Sequence, residues 1–199
     1  AAMLARCGSA ALRGLEALPV TVEVDIAPGL PGLQMVGLAD AAVQESRERV
    51  RAALRNSGLR VPLTRVVVSL APADLRKEGP AFDLPIALAV LAASGQLDPT
   101  QLDGIWCAGE LGLGGELRPV RGAVALALAA QRHGARALLL PQANQREAEL
   151  VEQHLGHAHN ASCNIQTVRS AKERHRRIIV TCFWIARNHF TWNVRRIRN

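Results

Sequence analysis

The sequence predicts an α+β fold, a mixed α/β sandwich, over residues 1–153. Three observations carry this: β-branched runs with the two-residue period of strands, apolar helical stretches bounded by caps and glycines, and the interleaving of the two along the chain. Val20 to Ile26 (VTVEVDI) alternates as a half-buried strand does, and Pro28-Gly29 ends it. The segment GLPGLQMVGLAD leads to Asp40, an N-cap for a helix reaching Asn56, with Val43, Val50 and Leu54 as its apolar stripe and Gly58 as its stop. Arg65 to Leu70 (RVVVSL) reads as a strand, and Asp83 with Pro85 in the first turn opens the apolar helix LPIALAVLAASG. GELGL and ELRPV read as short strands joined by a two-residue turn at Gly114-Gly115 of the kind that needs positive φ. A helix from Ala123 to His133, the strand ARALLLP and a last helix from about Asn144 complete the domain.

The chain has 199 residues, 49% of them apolar and 21% charged, which excludes a wholly disordered or low-complexity protein. Its longest apolar runs, Leu84 to Ala93 and Ala123 to Ala130, fall short of the roughly 18 residues of a membrane span. Arg6, Arg13 and Glu16 interrupt the first turns of sequence where a secretory signal would lie, so the expectation is a cytoplasmic protein with no membrane partner. Cys7, Cys107, Cys163 and Cys182 are widely spaced with no CxxC pair, which points to reduced thiols.

The net charge of +7 is unevenly held. Residues 154–199 carry nine lysines and arginines against one acid, Glu173, whereas residues 1–153 carry fifteen against sixteen. All ten prolines precede the join, and five of six histidines follow it. Two readings stand for this basic tail. It is an arm whose arginines meet phosphates and whose aromatics stack on bases, or it is out-of-frame or vector-derived sequence. The absence of a sustained helical or strand period, and of any glycine after Gly156, favours the second. Its one strong β signal is Ile178 to Trp184.

Several chemistries lack their residues. A P-loop needs GxxxxGK[ST], and neither Lys77 nor Lys172 follows a glycine. Gly112-Leu113-Gly114-Gly115 fails the dinucleotide pattern because Leu117 holds the third glycine position. His154, His157, His159 and Cys163 are suitable metal ligands by type, but a histidine-rich tail groups them by chance, and no metal site is expected. The one electrostatic constellation is Arg47, Arg51 and Arg55, which recur every four residues and so share a helix face able to meet successive phosphates. Against this stands a solvated face, with Glu45 pairing Arg49 and Glu48 pairing Arg51.

The stretches GLPGLQMVGLAD, VQESRERVRAALRNSGLRVP, VSLAPADLRKEGPAFDLPIALAVLAASGQL and GELGLGGELRPVRG together resemble the N-terminal domain of the bacterial ComM/YifB family of Mg-chelatase-related AAA+ proteins. The resemblance covers roughly residues 4 to 153. It implies the ribosomal protein S5 domain 2-like fold shared with the Lon proteolytic domain and the C-terminal domain of RadA. It implies that an AAA+ module normally follows, to which ATP and Mg would bind. No cofactor is then expected within this chain.

Lon-type peptidases place a serine nucleophile in a DGPSAG-like loop and a lysine base in a GGLKEK-like segment, because a serine hydroxyl alone is a weak nucleophile. Here the corresponding loops read Glu78-Gly79-Pro80-Ala81 and Arg121-Gly122-Ala123-Val124. Ala81 therefore stands at the nucleophile position and Val124 at the lysine position, so the resemblance implies a catalytically silent Lon-like domain. Lys77 lies one residue outside the loop and reads as a surface or turn contact. The family further implies a homo-oligomeric ring that promotes branch migration of DNA in natural transformation, with this domain contributing DNA contact or ring assembly. The alternatives are a domain of a magnesium chelatase ATPase-type subunit and a pure interaction scaffold.

Overall fold

The computed structural model describes residues 3–155, 164–169 and 181–183, and the side chains of residues 4–151. A mixed sheet forms the middle layer. Its strands are β1 (Met3–Arg13), β2 (Glu16–Ala27), β3 (Gly32–Val36), β4 (Arg65–Ala71), β5 (Ile105–Cys107) and β8 (Ala137–Pro141), in the spatial order β8-β5-β1-β2-β4-β3. Pairing is antiparallel for β1 with β2 and β2 with β4, and parallel for β3 with β4, β1 with β5 and β5 with β8. Beyond β8 the backbone adds β9 (Asn164–Arg169) and then β10 (Thr181–Phe183) at the edge. The basic tail, read as having no strand period, thus supplies two strands, and Thr181–Phe183 of its strong β signal lie at the sheet margin. A separate hairpin is made by β6 (Glu110–Leu111) and β7 (Leu117–Arg118).

Among the described residues four α-helices cover this sheet: α1 (Ala41–Asn56), α2 (Asp83–Ala93), α3 (Ala123–Arg132) and α4 (Gln145–Leu155). Neighbouring residues of β8 show that they occupy opposite faces. Ala137 and Leu139 join the core under α1 and α2, while Leu138 and Leu140 join the core under α3 and α4. Side chains alternate across a strand, so the two cores lie on the two sides of one sheet. The coarse expectation of a mixed α/β arrangement holds. Among the described residues, no helix is long and apolar enough to cross a membrane.

Helix α1 begins where its cap requires. The Asp40 carboxylate accepts from Val43 N–H at 2.8 Å, and its other oxygen accepts from Gly79 N–H at 3.1 Å. Val43, Val50 and Leu54 are buried as the stripe predicts, joined by Ser46 and Ala53. Helix α2 is buried on all sides, which explains why its sequence has no polar face. The predicted strands at 20–26 and 65–70 form the middle of β2 and nearly all of β4.

Four strands escape the sequence reading, β1, β3, β5 and β9, and the hairpin turn is corrected. Glycine, alanine, serine and cysteine fill much of β1, so it lacks the β-branched signature. Small residues are needed there because β1 is central and covered by helices: a Cβ on Gly8 would stand 2.4 Å from Trp106 Cδ1 and 2.8 Å from the Ile105 carbonyl. In the hairpin, Gly112 N–H donates to Glu116 O and Gly115 N–H donates to Gly112 O, both at 2.9 Å. The connection is therefore a three-residue loop, Leu113 to Gly115, with positive φ (87°) at Gly115. Its tip docks on the end of α1, where Asn56 Nδ2 donates to Leu113 O at 2.8 Å.

The described cysteines, Cys7 and Cys107, are free and buried with their sulfurs 3.3 Å apart. Burial, followed by the hydrogen bond with Cys7, pushes the Cys107 thiol well above its ordinary range. Replacing Gly8 by alanine is expected to lower unfolding free energy by about 1–3 kcal/mol, the usual cost of overpacking, because backbone as well as an indole edge must shift. Urea unfolding checks this, with a lower midpoint at unchanged slope as the expected result.

Candidate functional site

The exposed face of α1 and the loop ahead of α2 are where the sequence places its candidate residues. Arg47, Arg51 and Arg55 are all exposed on α1, one turn apart. The two compensating pairs also form: Glu45 reaches Arg49 at 3.5 Å and Glu48 reaches Arg51 at 4.0 Å. Arg47 turns back to donate from Nε to the Gln44 carbonyl at 3.0 Å. Among the described residues, neither Arg47 nor Arg55 has an acidic partner within ion-pair distance. Exposed pairs such as Glu48 with Arg51 hold their partners weakly, about 0–1 kcal/mol, so a polyanion could displace the glutamate.

Arg49 belongs to a different constellation, one that the local sequence of α1 does not show. Its guanidinium turns inward to the fully buried carboxylate of Asp83, with Nε at 2.7 Å from Oδ2 and Nη2 at 3.1 Å from Oδ1. Ser46 Oγ donates to Oδ1 and Leu111 N–H donates to Oδ2 at 3.0 Å. The hydrogen bond to Asp83, reinforced by that charge, raises the Arg49 pKa above its ordinary value despite partial burial. The carboxylate joins α1, the start of α2 and the β6–β7 hairpin. Ser46 is itself fully buried and its hydroxyl is committed, so this cluster is a structural clamp with no exposed nucleophile. Local sequence offered only Glu45, one turn from Arg49, as a competing partner.

Ala81 and Val124, which the Lon resemblance sets at the dyad positions, come close to one core. Ala81 lies in the 3-10 turn Pro80–Phe82, and its carbonyl accepts from Gly109 N–H at 2.9 Å. Val124 lies in the first turn of α3, after Gly122 in the left-handed region. Both side chains pack against the core beneath α3 and α4. A methyl and an isopropyl group there can neither attack a carbonyl nor accept a proton.

Lys77 is corrected from a surface residue to a buried one. Its Nζ donates to the Pro72 carbonyl, and its backbone bridges Leu38 and Asp40, with N–H to Leu38 O at 2.8 Å and Asp40 N–H to its own carbonyl at 3.0 Å. The turn contact is therefore present, but inside. Burial pushes the Lys77 ammonium below its ordinary value, with Asp74 opposing. The metal-type residues His154, His157, His159 and Cys163 have side chains outside the described residues.

Residues 22–144 match the family described as subunit ChlI of Mg-chelatase. The chain is 49% identical over 138 residues to the protein YifB of Escherichia coli, which covers 69% of this chain and 27% of that protein. It is 47% identical over 143 residues to competence protein ComM of Haemophilus influenzae, covering 72% and 28% respectively. An uncharacterized protein of Mycobacterium tuberculosis is 46% identical over 149 residues, 75% of this chain and 30% of that one. The chain thus spans less than a third of the length of the curated relatives it matches.

Breaking the clamp by Asp83→Ala should cost about 3–5 kcal/mol, since it strands a partly buried guanidinium, whereas Asp83→Ala combined with Arg49→Met should recover part of that loss. A double-mutant cycle by chemical denaturation checks the coupling. Lys77→Met should stabilise the protein most near neutral pH. Between the lowered folded pKa and the unfolded value near 10.5, the unfolded chain binds more protons, so the parent's stability rises with pH and the variant's advantage shrinks. Paired denaturation curves from neutral pH to above that range read this difference directly.

Proposed function

The chain belongs to the ChlI family of Mg-chelatase subunits and corresponds to the N-terminal region of its YifB and ComM members, and we propose that it is a non-catalytic domain serving DNA processing in a larger AAA+ protein. The observation that carries this reading is the exposed arginine row of α1, held in place from behind by the Arg49–Asp83 clamp. The name of the Haemophilus relative, competence protein, is consistent with handling of incoming DNA. In this reading the fold is the S5 domain 2-like one of Lon, with its catalytic positions replaced by Ala81 and Val124. The domain then hydrolyses neither peptide nor nucleotide. ATP and Mg serve an AAA+ module, and branch migration belongs to the ring that the whole protein forms in the cytoplasm.

Three charges spaced one helical turn apart rise about 6 Å per step, close enough to the spacing of successive phosphates for Arg47, Arg51 and Arg55 to follow one strand. Phosphate contacts carry no base information, so binding through this row is indifferent to sequence. The basic segment 154–199 would add its own non-specific attraction, whether it is an arm or out-of-frame sequence. The family description also raises a chelatase subunit as a second reading. That reading requires partner subunits and metal insertion into a porphyrin, and it predicts no DNA dependence.

The two readings separate in a salt titration of duplex DNA binding. Each phosphate contact contributes a slope of about −0.9 in log K against log salt. Arg47→Ala with Arg55→Ala is expected to weaken binding and to make the slope shallower by about 1–2, while attraction to the tail is common to both proteins and cancels. An unchanged slope and affinity would remove the arginine row from the mechanism and leave ring assembly as the domain's contribution.

A further inference from the structure

Strand β3 ends the sheet, and its outer edge has no strand partner among the described residues. Gly32 N–H donates inward to Thr64 O at 3.2 Å, so by strand alternation Gly32, Gln34 and Val36 pair with β4, while the N–H and C=O groups of Leu33 and Met35 face outward. Between Gly32 and Val36 there is no charge, proline or bulge of the kind that protects natural sheet edges. Beside this edge lies an apolar recess between α1 and β4, lined by Pro31, Leu33, Val50, Leu54, Val61 and Leu63, with Arg51 at its rim. Leu63 in its lining and Leu30 beside Pro31 stand 80% and 90% exposed, which extends the apolar surface of the recess.

We infer that the β3 edge and this recess form a docking site for an extended segment of a partner protein, with apolar side chains at alternate positions and acidic residues at its flanks. Backbone pairing to Leu33 and Met35 would supply affinity, and the recess would take the side chains on the same face, as in strand addition to other sheet edges. Charge selects the partner. Arg51 lines the recess, and Arg65, on the opposite face of β4 from Val66, sits across from Gly32 at the other side of the edge. Glu48, paired at 4.0 Å with Arg51, is the acid nearest that guanidinium among the ion pairs formed. A second copy is the competing occupant, since antiparallel β3-to-β3 pairing would set the α1 helices of both copies on one face, and sedimentation separates it below. The inference shares Arg51 with the DNA reading, but the DNA reading is tested at Arg47 and Arg55, and here the strand edge and Arg51 are at issue.

The experiment uses the full chain and a synthetic peptide in which valine and leucine alternate with threonine and aspartates occupy both ends. Two control peptides carry lysines at the ends, or N-methyl groups on alternate backbone amides. The expected result is binding of the aspartate peptide with amide shifts at Leu33, Gln34 and Met35, and at least tenfold weaker binding of both controls. N-methylation leaves charge unchanged, so attraction to the basic tail cannot mimic the difference. Arg51→Glu, at an exposed site, should reverse the preference between aspartate and lysine ends without shifting the circular dichroism spectrum. No binding of the aspartate peptide, equal binding of the N-methylated one, or shifts confined to residues away from β3 would overturn the inference. So would a concentration-dependent dimer in sedimentation that the peptide fails to dissociate.

Discussion

A single buried carboxylate organises the candidate site. Asp83 opens α2, a helix with no polar face, and a charge at that position would be costly were it not matched by Arg49, Ser46 and the Leu111 amide. Each donor comes from a different element or a different turn, so satisfying the carboxylate fixes the rotation of α1 about its axis. Once Arg49 points inward, the helical period places Arg47, Arg51 and Arg55 toward solvent. The surface charge row is thus a geometric corollary of an interior ion pair. Such pairs contribute little net stability against an apolar substitute, and their main effect here is to admit one arrangement of α1, α2 and the hairpin.

The second constraint is the thinness of the central layer. Strand β1 lies between two helical layers and beside β5, and it meets them with Ala5, Cys7, Gly8, Ala10 and Ala11. Small side chains let α2 approach closely, and α2 answers with alanines at its own contacts. Close packing of this sort leaves little room for repacking, which is why one methyl group at Gly8 matters. The same economy removes the residue types from which strands are ordinarily recognised.

Legibility in the sequence follows from these facts. Helix α1 was readable because Asp40 caps it, Gly58 follows it and its buried stripe keeps one period. β2 and β4 were readable because they meet the core with valines on one face and more polar residues on the other. β1 was not, because its small residues answer to tertiary crowding, and three-residue β5 was too short to show a period. β3 was hidden by the glycines and proline around it, which signal a turn more strongly than five residues signal a strand. In the candidate site, the i, i+4 spacing of Arg47, Arg51 and Arg55 was visible locally, and the missing dyad was visible at Ala81 and Val124 by resemblance. The partnership of Arg49 with Asp83 was not, since those residues are 34 positions apart and Glu45 offered a nearer acid. Lys77 was misplaced because burial of a lone lysine against a backbone carbonyl has no sequence signature.

The first strand of the chain sits inside the sheet rather than at its margin, with β2 on one side and β5 on the other. During synthesis the β1–β2 pair, β4 and the helices packed on them can assemble as soon as they emerge, but the opposite side of β1 stays bare until Trp106 arrives opposite Gly8. A nascent chain therefore carries an open, small-residue strand edge until β5 has emerged. On the ribosome that β1 edge is open to pairing with other chains, in addition to the β3 edge that the folded domain keeps.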